Sequence, residues 1–69
     1  MKRYAIVSER SKRSYGASVP DVPGCVAVGK TLRETRRLIR EAIRFHIEGL
    51  REAGDPVPES SSTAETVAV

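Results

Sequence analysis

A chain of 69 residues with a formal charge of +3, one cysteine and one histidine has room for a single small domain, with no disulfide and no closed structural zinc site. A domain this short buries only about 60% of its unfolded surface, so self-association is an expected source of extra stability. No apolar run approaches the roughly 20 residues of a membrane helix, and the charged N-terminus lacks the apolar centre of a signal peptide. A lone cysteine inside an apolar stretch suits a reducing compartment, so the expected location is the cytoplasm.

The residues predict strands and one helix in the order β-β-β-α-β, an α+β domain. Tyr4-Ala5-Ile6-Val7 is rich in β-formers and is the expected first strand. Glu9 to Arg13 is a charged hairpin loop, and Tyr15 to Val19 is the second strand, with Gly16 as a bulge or a site of close approach. Val19-Pro20-Asp21-Val22-Pro23-Gly24 follows as a rigid link, because Pro20 and Pro23 fix φ and cannot donate to a ladder. Gly24 is expected at positive φ. Cys25 to Val28 is the third strand, ended by Gly29 and Lys30. Three strands joined by short links predict an antiparallel meander.

Thr31 and Glu34 have capping-box spacing, which places a helix start at Leu32. The helix is expected to run to Ala53 and stop at Gly54, with Pro56 beyond. Residues 59–62 read as a flexible polar link. Residues 63–69 alternate weakly in threonine and valine and read as a last strand or a frayed tail. A strand there would follow a helical crossover and lie parallel to a neighbour. The whole chain, 1–69, is read as one domain with no separate DNA-binding unit.

On a helical wheel Leu32, Ile39, Ile43, His46, Leu50, Thr35 and Ala42 share one face, with Leu38 and Phe45 on one flank and Ile47 on the other. This arc spans roughly 200°, twice the ~100° stripe that a single sheet face requires. Leu38 and Phe45 are therefore expected at a contact with a partner or a second copy, or under a folded-back tail. Beside the arc runs an arginine stripe of Arg33, Arg37, Arg40, Arg44 and Arg51, with Arg36 nearer the apolar edge. A glutamate stripe lies beyond it, and Arg37–Glu41 and Arg44–Glu48 have pairing distance along the helix. The stripe reads as a solvated, self-paired face or as a surface for phosphate or an acidic protein, so RNA binding stays open.

Catalytic chemistry has no visible seat. His46 falls mid-face on the apolar side, where a packed imidazole is the ordinary role. Cys25 lies in an apolar strand with nothing to lower its pKa. Asp21 between prolines can bind a ligand or bond its own turn. The chain carries no glycine-rich phosphate loop, no nucleotide fingerprint and no metal-ligand cluster. The expectation is a non-enzyme with no cofactor and no metal. Tyr4, Tyr15 and Phe45 are its only aromatics, which is thin for base stacking.

Several of these residues together resemble the HicB-like antitoxin family, including its short stand-alone members. Tyr4-Ala5-Ile6-Val7 and Tyr15-Gly16-Ala17-Ser18-Val19-Pro20-Asp21-Val22-Pro23-Gly24-Cys25 are similar to its strand and proline-aspartate-proline-glycine signature. Gly29-Lys30-Thr31-Leu32-Arg33-Glu34 is similar to its helix entry, and His46 to Gly54 with Pro56-Val57-Pro58 continues the likeness. The motif residues Pro20, Asp21, Pro23, Gly24, Thr31 and Glu34 are expected to be structural. The resemblance implies a partial ribonuclease-H-like fold and an antitoxin that masks a small mRNA-cleaving toxin of the HicA type. It also implies a dimer or higher oligomer. The chain ends at Val69 without the C-terminal module with which full-length antitoxins bind operator DNA, so direct DNA binding is not expected. The arginine stripe is not part of the signature. Leu38, Phe45, Arg37, Arg40 and Arg44 are the expected partner or oligomer surface. The alternatives are a small basic nucleic-acid-binding module using Arg33, Arg37, Arg40, Arg44, Lys12 and Arg13, or an orphan oligomeric scaffold without a toxin.

Overall fold

A computed structural model describes residues 3–63 and 67–68. Three strands, β1 (Val7–Arg10), β2 (Tyr15–Ser18) and β3 (Val26–Gly29), form an antiparallel sheet in the order β1-β2-β3, and one helix, α1 (Leu32–Ala53), packs on it. The expected three-strand meander and long helix are both present. The expected last strand over 63–69 falls largely on residues 64–66 and 69, which lie outside the described residues. Thr63, Val67 and Ala68 carry no regular structure.

Strand β1 sits three residues later than its β-formers suggest. The β1–β2 turn sets the register: the Ser11 amide donates to the Ser14 carbonyl at 2.9 Å and the two hydroxyls lie 2.8 Å apart, which pairs Arg10 with Tyr15 and Val7 with Ser18. Continuing that register puts Ile6 and Ala5 opposite Val19 and Pro20. The Val19 amide points to the other side, to the Cys25 carbonyl at 3.3 Å, so the next amide due to β1 is that of residue 20, and Pro20 has none to give. Tyr4 to Ile6 therefore leave the ladder, while the polar residues Ser8 to Arg10 enter it as an exposed edge strand.

The proline link is a tight double turn. Val22 donates to Val19 at 3.1 Å and Cys25 to Val22 at 3.2 Å. Gly24 takes φ +83, the left-handed region that a side chain would strain. Because Cys25 is held in this turn, β3 begins at Val26 and runs on to Gly29, one residue later than expected at each end. Gly29 extends the strand rather than ending it, since it pairs with Tyr15 and lies directly under the helix. A Cβ there would sit 2.6 Å from the Thr35 hydroxyl oxygen and 3.0 Å from the Thr35 amide nitrogen. Gly16, expected as a bulge or a site of close approach, is neither: it pairs in register with Glu9 and Val28, and a Cβ on it would meet nothing within 4 Å.

Helix α1 matches its expected limits. The Thr31 hydroxyl accepts from the Glu34 amide at 3.0 Å, and Gly54 at φ 77 closes the C-terminus by donating to the Arg51 carbonyl. Only half of the capping box forms, since the Glu34 carboxylate makes no return bond among the described residues. The helix packs over β3 and β2, not β1. Ile39 (2% exposed) meets Ala17, Val19, Val22 and Cys25 in the core. Thr35 is fully buried there, and its hydroxyl donates to the Thr31 carbonyl at 2.8 Å while lying 3.3 Å from the Tyr15 carbonyl. Tyr4, Ile6, Ala27, Ala42 and Ile43 border the cluster.

Candidate functional site

The motif link and the segment after the helix are joined by one carboxylate. The Ser61 and Ser62 amides donate to Asp21 Oδ2 at 3.0 and 2.9 Å, and their hydroxyls to Oδ1 at 3.0 and 2.8 Å. The Ser62 bonds, chiefly that from its amide, hold the Asp21 carboxyl below its ordinary value. Asp21 thus bonds across the fold and not within its own turn. The Tyr4 hydroxyl adds a second tie, donating to the Pro58 carbonyl at 2.6 Å. No sequence signal pairs an aspartate with serines forty residues away, because the contact exists only once α1 has reversed the chain. Around Asp21, Pro20, Pro23 and Gly24 shape an exposed turn, and Thr31 with Glu34 forms the helix entry.

Two surfaces remain open. The first is the sheet face opposite α1. Side chains alternate along a strand, so Ala17, Ala27 and Gly29 face the helix while Val7, Glu9, Gly16, Ser18, Val26 and Val28 face out. Val26 and Val28 are 65% and 66% exposed and Val7 is 47% exposed. With Gly16 and Ser18 between them, they form a flat and largely uncharged face bordered by Glu9.

The second surface is a groove of about 810 Å³ between residues 3–6 and the β1-side flank of α1. It exists because Tyr4 to Ile6 leave the ladder while the helix sits over β2 and β3. Ile6, Ile43 and Ile47 line its base, and Arg3, Arg36, Arg40, Arg44 and Arg51 surround it with Glu48 as the only acid among the described residues. None of these arginines forms an ion pair among the described residues. Of the two expected helical pairs, Arg37–Glu41 forms at 3.3 Å with both side chains 60% exposed, while Arg44–Glu48 does not form. Exposed pairs of this kind contribute little, so either state is physically ordinary.

The structure redistributes the expected basic residues. Arg40 and Arg44 line the groove, whereas Arg33, Arg37, Lys12 and Arg13 do not. Arg3 joins from the opposite wall, and helical spacing carries no signal for it. Phe45 is 80% exposed and Leu38 half-buried, on the flank of α1 away from the groove. His46 is half-buried, and burial raises the Cys25 thiol above its usual pKa, which disfavours the nucleophilic thiolate. Among the described residues no three metal-ligating side chains converge, and no helix is long and apolar enough to cross a membrane.

Residues 4–69 match the family model described as a HicB-like antitoxin of bacterial toxin-antitoxin systems. A UPF0150 protein of Thermoplasma acidophilum is 36% identical over 67 residues, covering 97% of both chains. An uncharacterised 14.9 kDa protein from the rep-hol intergenic region of Haemophilus phage HP1 is 47% identical over 58 residues, 84% of this chain but 44% of the phage protein. A UPF0150 protein of Thermotoga maritima is 44% identical over 46 residues, 67% of this chain and 57% of the relative. This chain therefore spans about half the length of two of these relatives and nearly all of the third. No solved structure matches it. With a signature turn, a capped helix and a family match that runs from the first β-former to the last residue, the chain belongs to the HicB-like antitoxin family.

Proposed function

We propose that this chain is a non-enzymatic antitoxin that binds a small mRNA-cleaving toxin of the HicA type and silences it by covering its RNA-binding surface. The observation that carries the reading is the family match over residues 4–69. The open sheet face is the toxin-facing surface. A protein that grips RNA presents basic side chains to phosphate, so a basic flank on the antitoxin would repel it. The sheet face offers valines and Glu9 in place of arginines, and shape with charge then set specificity. Leu38 and Phe45 supply a surface for self-association. A cytoplasmic location, a fourth strand over residues 63–69 and a partial ribonuclease-H-like relation belong to the same reading.

The test is purification of the tagged chain from its native cell, followed by an RNA-cleavage assay on any small protein that accompanies it. The reading expects cleavage by that protein alone, silence on adding this chain, and loss of silencing for the Val26→Glu/Val28→Glu variant with its circular dichroism unchanged. Cleavage unaffected by a stoichiometric excess of this chain would sink it.

A further inference from the structure

We propose that the arginine-lined groove between residues 3–6 and α1 binds the phosphodiester backbone of single-stranded RNA. The site is independent of the antitoxin reading, which uses the opposite side of the sheet. Among the described residues five arginines and one glutamate line it, and the five form no ion pair there. Concentrated, uncompensated charge of one sign in a groove is the electrostatic footprint of a polyanion site. The whole chain agrees in sign, with a charge of +3 and a pI near 9.5.

Geometry narrows the polyanion. Arg36, Arg40 and Arg44 recur every fourth residue along α1, a step of about 6 Å at 1.5 Å per residue. Two steps of a stacked nucleic-acid strand cover about 6.8 Å at 3.4 Å per nucleotide. From Arg36 to Arg51 the row spans about 22 Å, enough for roughly six nucleotides. Arg3 closes the row from the opposite wall. Among the described residues all the groove cations are arginine, whose planar fork matches phosphate oxygens in pairs. An acidic protein segment would need a carboxylate at each of these positions, whereas a nucleic-acid strand presents one charge per nucleotide whatever its sequence. Tyr4 is the only aromatic in the groove, and its hydroxyl is held by the Pro58 carbonyl. Base stacking is therefore minor, and the binding is sequence-tolerant and dominated by phosphate contacts.

The experiment is fluorescence anisotropy of the full chain with a fluorescein-labelled twelve-nucleotide uridine RNA at 50 and 200 mM KCl. Four to five phosphate contacts give a slope of log K against log salt of about −0.7 per contact, so affinity should fall roughly 50- to 130-fold between the two salts. The exposed pair Arg40→Glu/Arg44→Glu should weaken binding at least tenfold at 50 mM, with circular dichroism and thermal midpoint unchanged. Arg40→Ala/Arg44→Ala should weaken it in the same direction. Lys12→Glu/Arg13→Glu changes the net charge equally but lies outside the groove, and should weaken binding less than threefold. Absence of binding at 50 mM, or equal losses for the two charge-reversal variants, overturns the site. A twelve-residue polyglutamate that displaces the RNA at equal concentration overturns it in favour of an acidic protein.

Discussion

Gly29→Ala adds one methyl at the point where β3 passes beneath the helix. That methyl would lie 2.6 Å from the Thr35 hydroxyl oxygen, 3.0 Å from its amide nitrogen and 3.2 Å from its Cα. The hydroxyl cannot swing aside freely, because Thr35 is fully buried and bonded to the Thr31 carbonyl at 2.8 Å. The backbone contacts are worse, since relieving them moves α1 away from the sheet and opens the contact made by Ile39. Overpacking of this kind costs about 1–3 kcal/mol, and for a domain of this size the thermal midpoint should drop by roughly 5–20 °C. Gly16→Ala is the control. Gly16 pairs with Val28 in the same sheet, yet its added methyl meets nothing within 4 Å. Ala replaces a flexible strand glycine there, so a gain of about 0.5–1 kcal/mol is expected. Thermal unfolding followed by circular dichroism reads both. In a Thr35→Ala background the Gly29→Ala cost should shrink by about 0.5 kcal/mol or more, because the shortest clash is removed. A Gly29→Ala midpoint within 2 °C of the parent, measured at a precision of about 0.5 °C, would show that the helix does not press on the strand as described.

Gly24→Ala places a side chain at φ +83 and should cost about 1–2 kcal/mol by urea unfolding; a neutral result would mean the turn relaxes. Ile39→Ala empties the centre of the core, where Ile39 is 2% exposed, and should cost about 2–5 kcal/mol in the same assay. Asp21 titrates below its ordinary value in the folded chain, so its contribution is fully present above the unfolded carboxylate pKa near 4 and is lost as pH falls through the lower folded value. Asp21→Asn should therefore lower the urea midpoint at pH 6 and flatten its fall between pH 5 and 2; an unchanged acid limb would show that the serine bonds do not persist in solution. Phe45→Ala removes a ring that is 80% exposed and should leave unfolding within about 0.5 kcal/mol while lowering any oligomer mass seen by light scattering.

Local chemistry made parts of this fold legible in the residues. The limits of α1 follow from a hydroxyl cap at Thr31 and a left-handed glycine at Gly54, both contacts within one turn of the chain. The proline link likewise announces a turn, since Pro20 and Pro23 restrict φ wherever they stand. Strand limits were less legible because pairing, not propensity, selects them. Ile6 is a better β-former than Glu9, yet Glu9 has Gly16 opposite it, while the extended register leads Ile6 and Ala5 to Val19 and Pro20, and Pro20 has no amide for the β1 side. The glycine that matters for packing turned out to be Gly29 and not Gly16, because a close approach depends on which strand runs under the helix. The Asp21–Ser61 and Asp21–Ser62 bonds join residues about forty positions apart, and Arg3 meets the arginines of α1 only across the groove. Periodicity and capping act over the few residues that a turn of helix or a hairpin spans. Which side chains face one another across a gap is decided by how the helix lies on the sheet, and that balance of packing exists only in the assembled domain.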